Sequence, residues 1–446
     1  MPRFVLLFLV LVGLFNASRV LREPRPTADR PMDFRTCYAG QAVLRQGLTP
    51  YNDDALKAGW QRIVRQESLR SHTRPGLPNL PFLYPPWAAA LFGLTVGRLP
   101  YGRAWPLWYA LAGLSLVLLA WLWANIFNYQ HTPAVPWWHF LAAGLALKGT
   151  VPALLAGQPT FVALALGAGA LAVGGFRAAA LAPGSPPAGA VAPVPLAAWR
   201  PWVAGGLLGL AAFKVTLLLP FAAWFLWRRQ WPALAVAAAV VALLSAVAAV
   251  WARFPAELLP SYQHLLAQVR AQAFDPADPD YPLTQGLTLR LELGNVLEWL
   301  RPGSSGWHPW LHGLLWLAAG LRLAWLRQAG KLADGYLLLV LSVLTLLTTY
   351  HLYYDALLLL PLLAYAPGLS KRGQGLLLAL LLPLLLPLNG LAVASGNPVA
   401  LQGLYFLMPL SLLGVLVLLL ARPVGKARAD GQESPSCSSG VRAAEA

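Results

Sequence analysis

Apolar residues run in long blocks along this chain, and polar residues gather mostly in short turns between them. Runs over residues 2–15, 105–126, 201–227, 231–251, 310–326, 335–349, 374–388 and 404–421 each approach or reach the length that crosses bilayer hydrocarbon, about 20 helical residues. Blocks at 83–99, 136–156 and 160–175 have the same character. Helix is the conformation that satisfies every backbone group within such a segment. The pattern predicts an all-α, polytopic membrane helix bundle of about twelve transmembrane helices over residues 1–421, followed by a disordered polar tail over 422–446. The first run resembles a signal peptide, but Arg19, Arg22 and Arg25 follow it instead of a small-x-small cleavage site, so it reads as a retained first helix.

Composition supports the same class. Hydrophobic residues make up 58% of the chain and charged ones 11%, against roughly a quarter charged in a soluble domain. The net charge is +16, yet no basic block interleaved with aromatics stands in a soluble domain. Nucleic acid is therefore not an expected partner, and the bilayer is.

Basic clusters at Arg228 and Arg229, at Arg322, Arg327 and Lys331, at Lys371 and Arg372, and at Arg422, Lys426 and Arg428 fix the orientation when all are placed in the cytoplasm. Counting back through the blocks puts both termini on that side, with twelve spans in a plasma membrane. Two long polar segments, about 18–80 and 253–307, then face outward. The first is itself rich in Lys and Arg, against the tendency just used, although that tendency is weak for long loops. Within it Leu56, Trp60, Ile63 or Val64 and Leu69 recur at helical spacing, as in a helix lying in the interface or one capping the bundle. Cys37 and Cys437 fall on opposite sides and are not expected to pair, residues 178–201 read as a flexible connection, and no repeated half is visible.

Ionisable residues at membrane depth are costly and are the first candidates for function. Lys214 lies in the middle of the 201–227 run, where an anion such as phosphate or a buried structural pair would account for it; Lys148 lies near a span end. His351 and Asp355 are spaced i to i+4 at an outer turn, where they can bind phosphate or orient an acid, or Asp355 can cap a helix. Asp33, in the first outer segment, can act as general base toward a hydroxyl, although a loop aspartate taken alone is more often solvated or a cap. Asp278-Pro-Asp280 has the form of a metal-binding pair but also that of a turn. Nucleotide-phosphate loops, serine-hydrolase elbows and zinc-protease motifs are missing from the sequence, and no metal or cofactor is expected.

The order of several motifs is informative: Asp33 with Tyr38 and Gly47-Leu-Thr-Pro-Tyr51, then Phe82-Leu-Tyr-Pro-Pro86 and Gly157-Gln158. Lys214 with Pro220 and Arg228-Arg-Gln-Trp231 comes next, then Leu283-Thr-Gln-Gly286 with Arg290, and Tyr350 to Asp355 before Pro361. In this order, over about residues 5–420, the chain resembles the glycosyltransferase family 87 membrane proteins, relatives of polyprenol-phosphate-mannose-dependent mannosyltransferases with the GT-C fold. The resemblance implies inverting transfer of a mannose-like hexose from a polyprenyl-phosphate donor to a glycan or glycolipid acceptor on the outer face. It also implies that the first outer loop supplies the catalytic aspartate, which here matches Asp33, exposed in that loop.

Lys214, His351 and Arg290 match the cations that would stabilise the departing phosphate. Gln285 and Gln158 match hydrogen-bond partners of sugar or phosphate, and Asp355 and Tyr38 belong to the same expected site. The chain departs from the family pattern at Thr284-Gln285-Gly286, often Asn-Gln-Ser, and at Thr160, often Asn. The topology places Gln158 on the cytoplasmic side, so either its loop re-enters the membrane or Gln158 is structural. The alternative function is a polytopic transporter or lipid flippase, in which Lys214 and His351 line a path reachable from both faces; a noncatalytic scaffold is a third.

Overall fold

The computed structural model describes residues 3–22, 32–66, 81–128, 135–176, 197–273, 290–301, 303–386 and 398–421. The polar tail, Cys437, Asp278, Asp280, Gln285 and most of the 178–201 connection lie outside them. Apart from one isolated bridge between Arg290 and Leu352, the ordered elements are helical.

In chain order the helices are α1 (Arg3–Arg22), α2 (Met32–Arg45), α3 (Asp53–Gln66), α4 (Pro86–Leu94), α5 (Tyr101–Asn128), α6 (Trp137–Ala146), α7 (Thr150–Ala156), α8 (Thr160–Val173) and α9 (Arg200–Ala211). They continue with α10 (Val215–Trp227), α11 (Trp231–Trp251), α12 (Pro255–Ala273), α13 (Gly294–Leu300), α14 (His308–Gln328) and α15 (Asp334–Thr348). A run of mostly 3-10 turns from Tyr353 leads to α16 (Lys371–Leu385) and α17 (Pro398–Ala421).

By length and composition three stretches, Tyr101–Phe127, Arg200–Trp227 and Trp231–Trp251, can cross a bilayer, and a fourth is the pair Trp137–Ala146 and Thr150–Ala156. Their outward faces are apolar. On α5 the exposed positions Leu107, Leu111, Leu114, Leu118 and Trp121 form one stripe, and on α14 Trp310, Leu314, Leu317, Leu321 and Trp325 form another. Water would not tolerate such stripes at helical period, whereas lipid does. Exposed Trp199, Trp202 and Trp231 stand at one end of the bundle and Trp307 and Trp310 at the other, the places where tryptophan prefers a membrane interface.

Three expected spans differ in the structure. The 83–99 block is not a crossing: its helix α4 has 9 residues, about 13 Å long. The 136–156 block is broken at residues 147–149 and bent by 79°. The 201–227 block folds back on itself. Gly205 lies against Ala233 and Val236, and Gly209 against Ala237 and Val240, so α9 runs parallel to α11. α10 then enters α11 through Arg228–Gln230, where Arg229 adopts φ 54°. Thr160, at the start of α8, meets Lys214; farther down, Gly169 meets Leu207 of α9, and Gly167 and Gly174 meet Phe221 and Phe225 of α10. Both arms therefore descend from Lys214 beside α8, and Lys214 caps a helical hairpin instead of sitting mid-span. Its backbone, at φ −119° and ψ 74°, makes the turn.

The lower ends of α10 and α15 are tied by Arg228, whose Nε and Nη2 donate to Asp334 at 2.9 and 2.7 Å. Arg327 stacks there over Trp227, so this is the basic end of the bundle. At the opposite end a second core gathers α2, α3 and α4 with the start of α5 and the end of α11. Leu56, Trp60 and Ile63 of α3 are buried in it, so this amphipathic helix caps the bundle, the second of its two expected roles.

Candidate functional site

A cavity of about 490 Å³ opens at the end occupied by that second core, and its walls come from parts of the chain far apart in sequence. Asp33 and Thr36 enter from the first two turns of α2, and Tyr84 from the strap before α4. That strap is held by a hydrogen bond from the Tyr51 hydroxyl to the Tyr84 carbonyl, 3.0 Å, and Trp87 just beyond it donates to the Ala212 carbonyl at 3.0 Å. Gln158 enters from the tip between α7 and α8, and Lys214 from the apex of the α9–α10 hairpin.

The far wall is an extended strap. The Leu291 and Leu293 amides donate to the His351 and Leu347 carbonyls, both at 2.9 Å, and Arg290 bridges Leu352. Alternate residues of extended chain face one side, so Arg290 and Glu292 both reach the cavity, with His312 behind Glu292 at 3.7 Å. The Arg290 guanidinium lies over the Tyr350 ring, 4.7 Å from its centre.

At the floor, Lys214 Nζ donates to Asp355 Oδ1 and to Thr160 Oγ1, both at 2.5 Å. Thr160 donates to the same Oδ1 at 2.9 Å, and Asp355 Oδ2 lies 2.9 Å from His351 Nδ1. The i to i+4 pairing of His351 with Asp355 is thus present, with His351 in the extended segment before a 3-10 run and Asp355 inside it instead of both on one α-helix. The Lys214 ammonium also stands 5.1 Å from the centre of the Tyr354 ring. A buried ion pair of this kind needs its remaining lone pairs and protons satisfied to be tolerated, and Thr160 and His351 do that for Asp355.

Asp33 is half-buried and faces the cavity, which corrects its expected exposure. Its carboxyl is raised to about 6, with burial the largest cause and the charge of Asp355 adding to it, against the opposing pull of Gln158 and of the Lys214 charge. A carboxyl so placed is a weak acid in the range where a general base works.

The expected residues therefore divide. Asp33, Lys214, Arg290 and Asp355 share one cavity, and Gln158, from the loop after the bent α6–α7 pair, lines it with them. His351 is buried behind the wall and reaches the site through Asp355. Tyr38 is not on the wall either: it packs against Phe34 and Tyr101 and donates to the Leu99 carbonyl at 2.6 Å. Gln285 is outside the described residues. Lys148, in the break between α6 and α7, is buried, and its backbone amide bonds to the Leu384 carbonyl at 2.9 Å. Sequence reasoning did not single out Tyr84, Tyr354, Glu292 or His312; polar residues inside the Phe82–Pro86 and Tyr350–Asp355 motifs were the available signal for the two tyrosines.

The sequence profile of glycosyltransferase family 87 matches residues 82–361. No curated protein and no solved structure matches the chain. The matched stretch begins at the cavity's first strap and contains Gln158, Lys214, Arg290 and Asp355, while Asp33 precedes it. Since the profile spans more than half of this membrane-type helical protein, the chain belongs to glycosyltransferase family 87, and its activity is transfer of a sugar from a donor to an acceptor.

Proposed function

We propose that the protein moves a mannose-like hexose from a polyprenyl-phosphate donor to a hydroxyl of a glycan or glycolipid at the outer face of the plasma membrane, with Asp33 as general base. The observation that carries this reading is the placement of Asp33, a desolvated carboxyl, in one cavity with Lys214 and Arg290. In the reaction Asp33 takes the proton of the acceptor hydroxyl as its oxygen attacks the anomeric carbon. The bond from that carbon to the phosphate oxygen breaks, and polyprenyl phosphate leaves with the electron pair. Attack opposite the leaving group inverts the anomeric centre. Arg290, on the wall facing the floor, is the cation proposed to meet the departing phosphate. Lys214 is already matched by Asp355 and contributes its field from the floor.

The membrane topology supporting an outward cavity has twelve crossings with both termini cytoplasmic. They are α1, α5, α6, α8, α9, α10, α11, α14, α15, the run from Tyr353, α16 and α17. Withdrawing the 83–99 block and counting 201–227 twice leaves the expected number unchanged. With the basic end in the cytoplasm, the cavity opens to the other side. Helix α8 has 14 residues, about 21 Å. That is shorter than the hydrocarbon thickness of about 30 Å, so the cavity floor lies below the outer surface, within reach of a donor held in the outer leaflet.

The test is transfer from radiolabelled polyprenyl-phosphate mannose to membrane acceptors by protein purified into liposomes, compared with Asp33→Asn. Transfer lost in the variant supports the donor and the base together. Transfer undiminished in the variant moves the base elsewhere, and passage of the lipid donor between leaflets without transfer supports the flippase reading.

A further inference from the structure

The strap Arg290–Leu293 is fixed along its length, and the directions of its side chains are fixed with it. Leu291 and Leu293 are buried in the larger core, and their amides carry the bonds to the His351 and Leu347 carbonyls. Immediately beyond, Gly294 opens α13 against the His308 ring, where an added Cβ would stand 2.6 Å from Nδ1. One turn along α14 from His308, His312 Nε2 lies 3.7 Å from Glu292 Oε1. A slip of the strap by one residue would turn Arg290 and Glu292 into the core and both leucines into the cavity.

Arg290 and Glu292 therefore leave the same face of extended chain, with their Cα atoms about 6.6 Å apart, and both line the cavity. Elsewhere in the cavity polar groups are tied to one another: Lys214 to Asp355 and Thr160, and Gln158 Nε2 to the Tyr354 hydroxyl at 2.8 Å. The strap sets a guanidinium and a carboxylate side by side at a fixed spacing. A hexopyranosyl phosphate has the matching form. Its phosphate is an anion at one end, and its C3 and C4 hydroxyls are donors at the opposite edge of the ring, at a separation comparable to that spacing. A carboxylate accepts on both oxygens and so takes two neighbouring hydroxyls at once, in bonds strengthened by its charge.

We propose that Glu292 recognises the sugar: with the donor phosphate on Arg290, its carboxylate accepts from the C3 and C4 hydroxyls of the hexose, so that the strap measures the headgroup from end to end. This rests on the cavity being the site of a polyprenyl-phosphate hexose. Glu292 makes and breaks no bond in the reaction; it decides which headgroup is held. A hexopyranose with free hydroxyls at C3 and C4 fits. One that lacks or blocks either of them leaves the carboxylate, in its largely buried place on the wall, without that donor, and a site built to bond a hydroxyl rejects the analogue without it. A donor laid along the strap also leaves the side of its anomeric carbon opposite the phosphate to the acceptor, as inversion requires.

The experiment measures binding apart from turnover. Asp33→Asn protein in nanodiscs is titrated with a short-chain prenyl-phosphate mannose and with its 3-deoxy and 4-deoxy analogues. Each deoxy donor should bind about tenfold to a hundredfold more weakly than the intact one, the range for a hydrogen bond to a charged acceptor. With Glu292→Ala added, the intact donor should weaken and the three should bind almost alike. Glu292→Gln, which keeps the shape and one acceptor, should narrow the gap part of the way and provides the answer where the alanine variant does not fold. Arg290→Ala should weaken all three donors equally and leave the gap in place, since it acts on the phosphate. A gap that survives both Glu292 substitutions, or no gap at the outset, overturns the proposal. Transfer in protein with Asp33 intact judges the reaction separately. A Glu292-dependent gap in a protein that transfers no sugar sustains the proposal and sinks the proposed reaction; Asp33-dependent transfer without such a gap does the reverse, and a protein that binds none of the donors sinks both.

Discussion

Lys214 and Asp355 are 141 residues apart in the chain, and their charged atoms meet at 2.5 Å on the cavity floor. The pair joins the apex of the α9–α10 hairpin to the run that follows α15, and Thr160 ties both to the start of α8. Removing one partner leaves a buried charge without its counterion, which typically costs 3–5 kcal/mol or about that. Lys214→Met is therefore expected to lower stability by that amount, read as the denaturation midpoint in detergent. Adding Asp355→Asn to it should restore a large part of the loss without restoring transfer. A double variant no more stable than the single one would show that the pair is not the source of the cost.

Asp33→Asn tests the base itself. The carboxyl is half-buried and its ionised form is disfavoured there by burial, so a neutral amide of the same shape should leave folding and insertion unchanged. Transfer should fall by a factor of about 10² to 10⁴, the range for loss of a general base. The measurement is the initial rate at saturating donor, beside the elution volume and melting temperature of the same preparation.

The pH dependence has a definite sign. A base works only when deprotonated, and burial moves the Asp33 carboxyl up to about 6. Transfer at limiting acceptor should therefore rise with pH, reach half its plateau near pH 6 and level off above about pH 7. An ordinary exposed aspartate would give a plateau about two units lower on the scale. A flat profile from pH 5 upward would show a base that titrates as an ordinary exposed carboxyl, against a buried and raised Asp33.

Arg290 is held on an extended strap by the Leu291 and Leu293 backbone bonds, independent of its side chain. Arg290→Ala should accordingly leave the strap in place while removing a cation from the cavity wall. The expected result is a donor-dependent loss of kcat/KM by about tenfold to a hundredfold, from one charge-assisted contact, and Arg290→Lys should recover part of it. Equal loss with acceptor varied and donor saturating would assign the residue to the acceptor.

The helical class and the apolar blocks were legible because their signal is local: composition and run length fix where a helix can lie in lipid. Direction was not. The 201–227 run reads as one span because nothing in its hydrophobicity marks the reversal at Lys214; the reversal is set by Gly205 and Gly209, which let α9 approach α11 from the parallel side. The 83–99 run reads as a span although its helix stops at Leu94, where Thr95 turns away at φ −109° and ψ −106°. Lys214 was singled out for its cost in hydrocarbon, and that argument found the site although the residue crowns a turn. Tyr38 was carried by motif order alone, and order cannot tell a cavity wall from the aromatic packing behind it.

Gly149 offers the sharpest separation of position from stability. A Cβ added there would stand 2.5 Å from the Tyr354 Cα and 2.7 Å from both the Tyr353 carbonyl oxygen and the Tyr354 amide nitrogen. All three are backbone, so neither side can yield by turning a side chain. Gly149→Ala should therefore push apart the α6–α7 break and the run that carries Tyr354 and Asp355, at a cost of about 1–3 kcal/mol, as for an overpacked core. The same displacement draws Tyr354 from Gln158 and Asp355 from Lys214, so transfer should fall by more than the remaining folded fraction explains. Gly113→Ala is the control, since a Cβ there meets nothing within 4 Å; on an exposed helix face it should leave both stability and rate within measurement error. If the two variants lose activity only in proportion to folded protein, the break at residues 147–149 supports the bundle without placing the site.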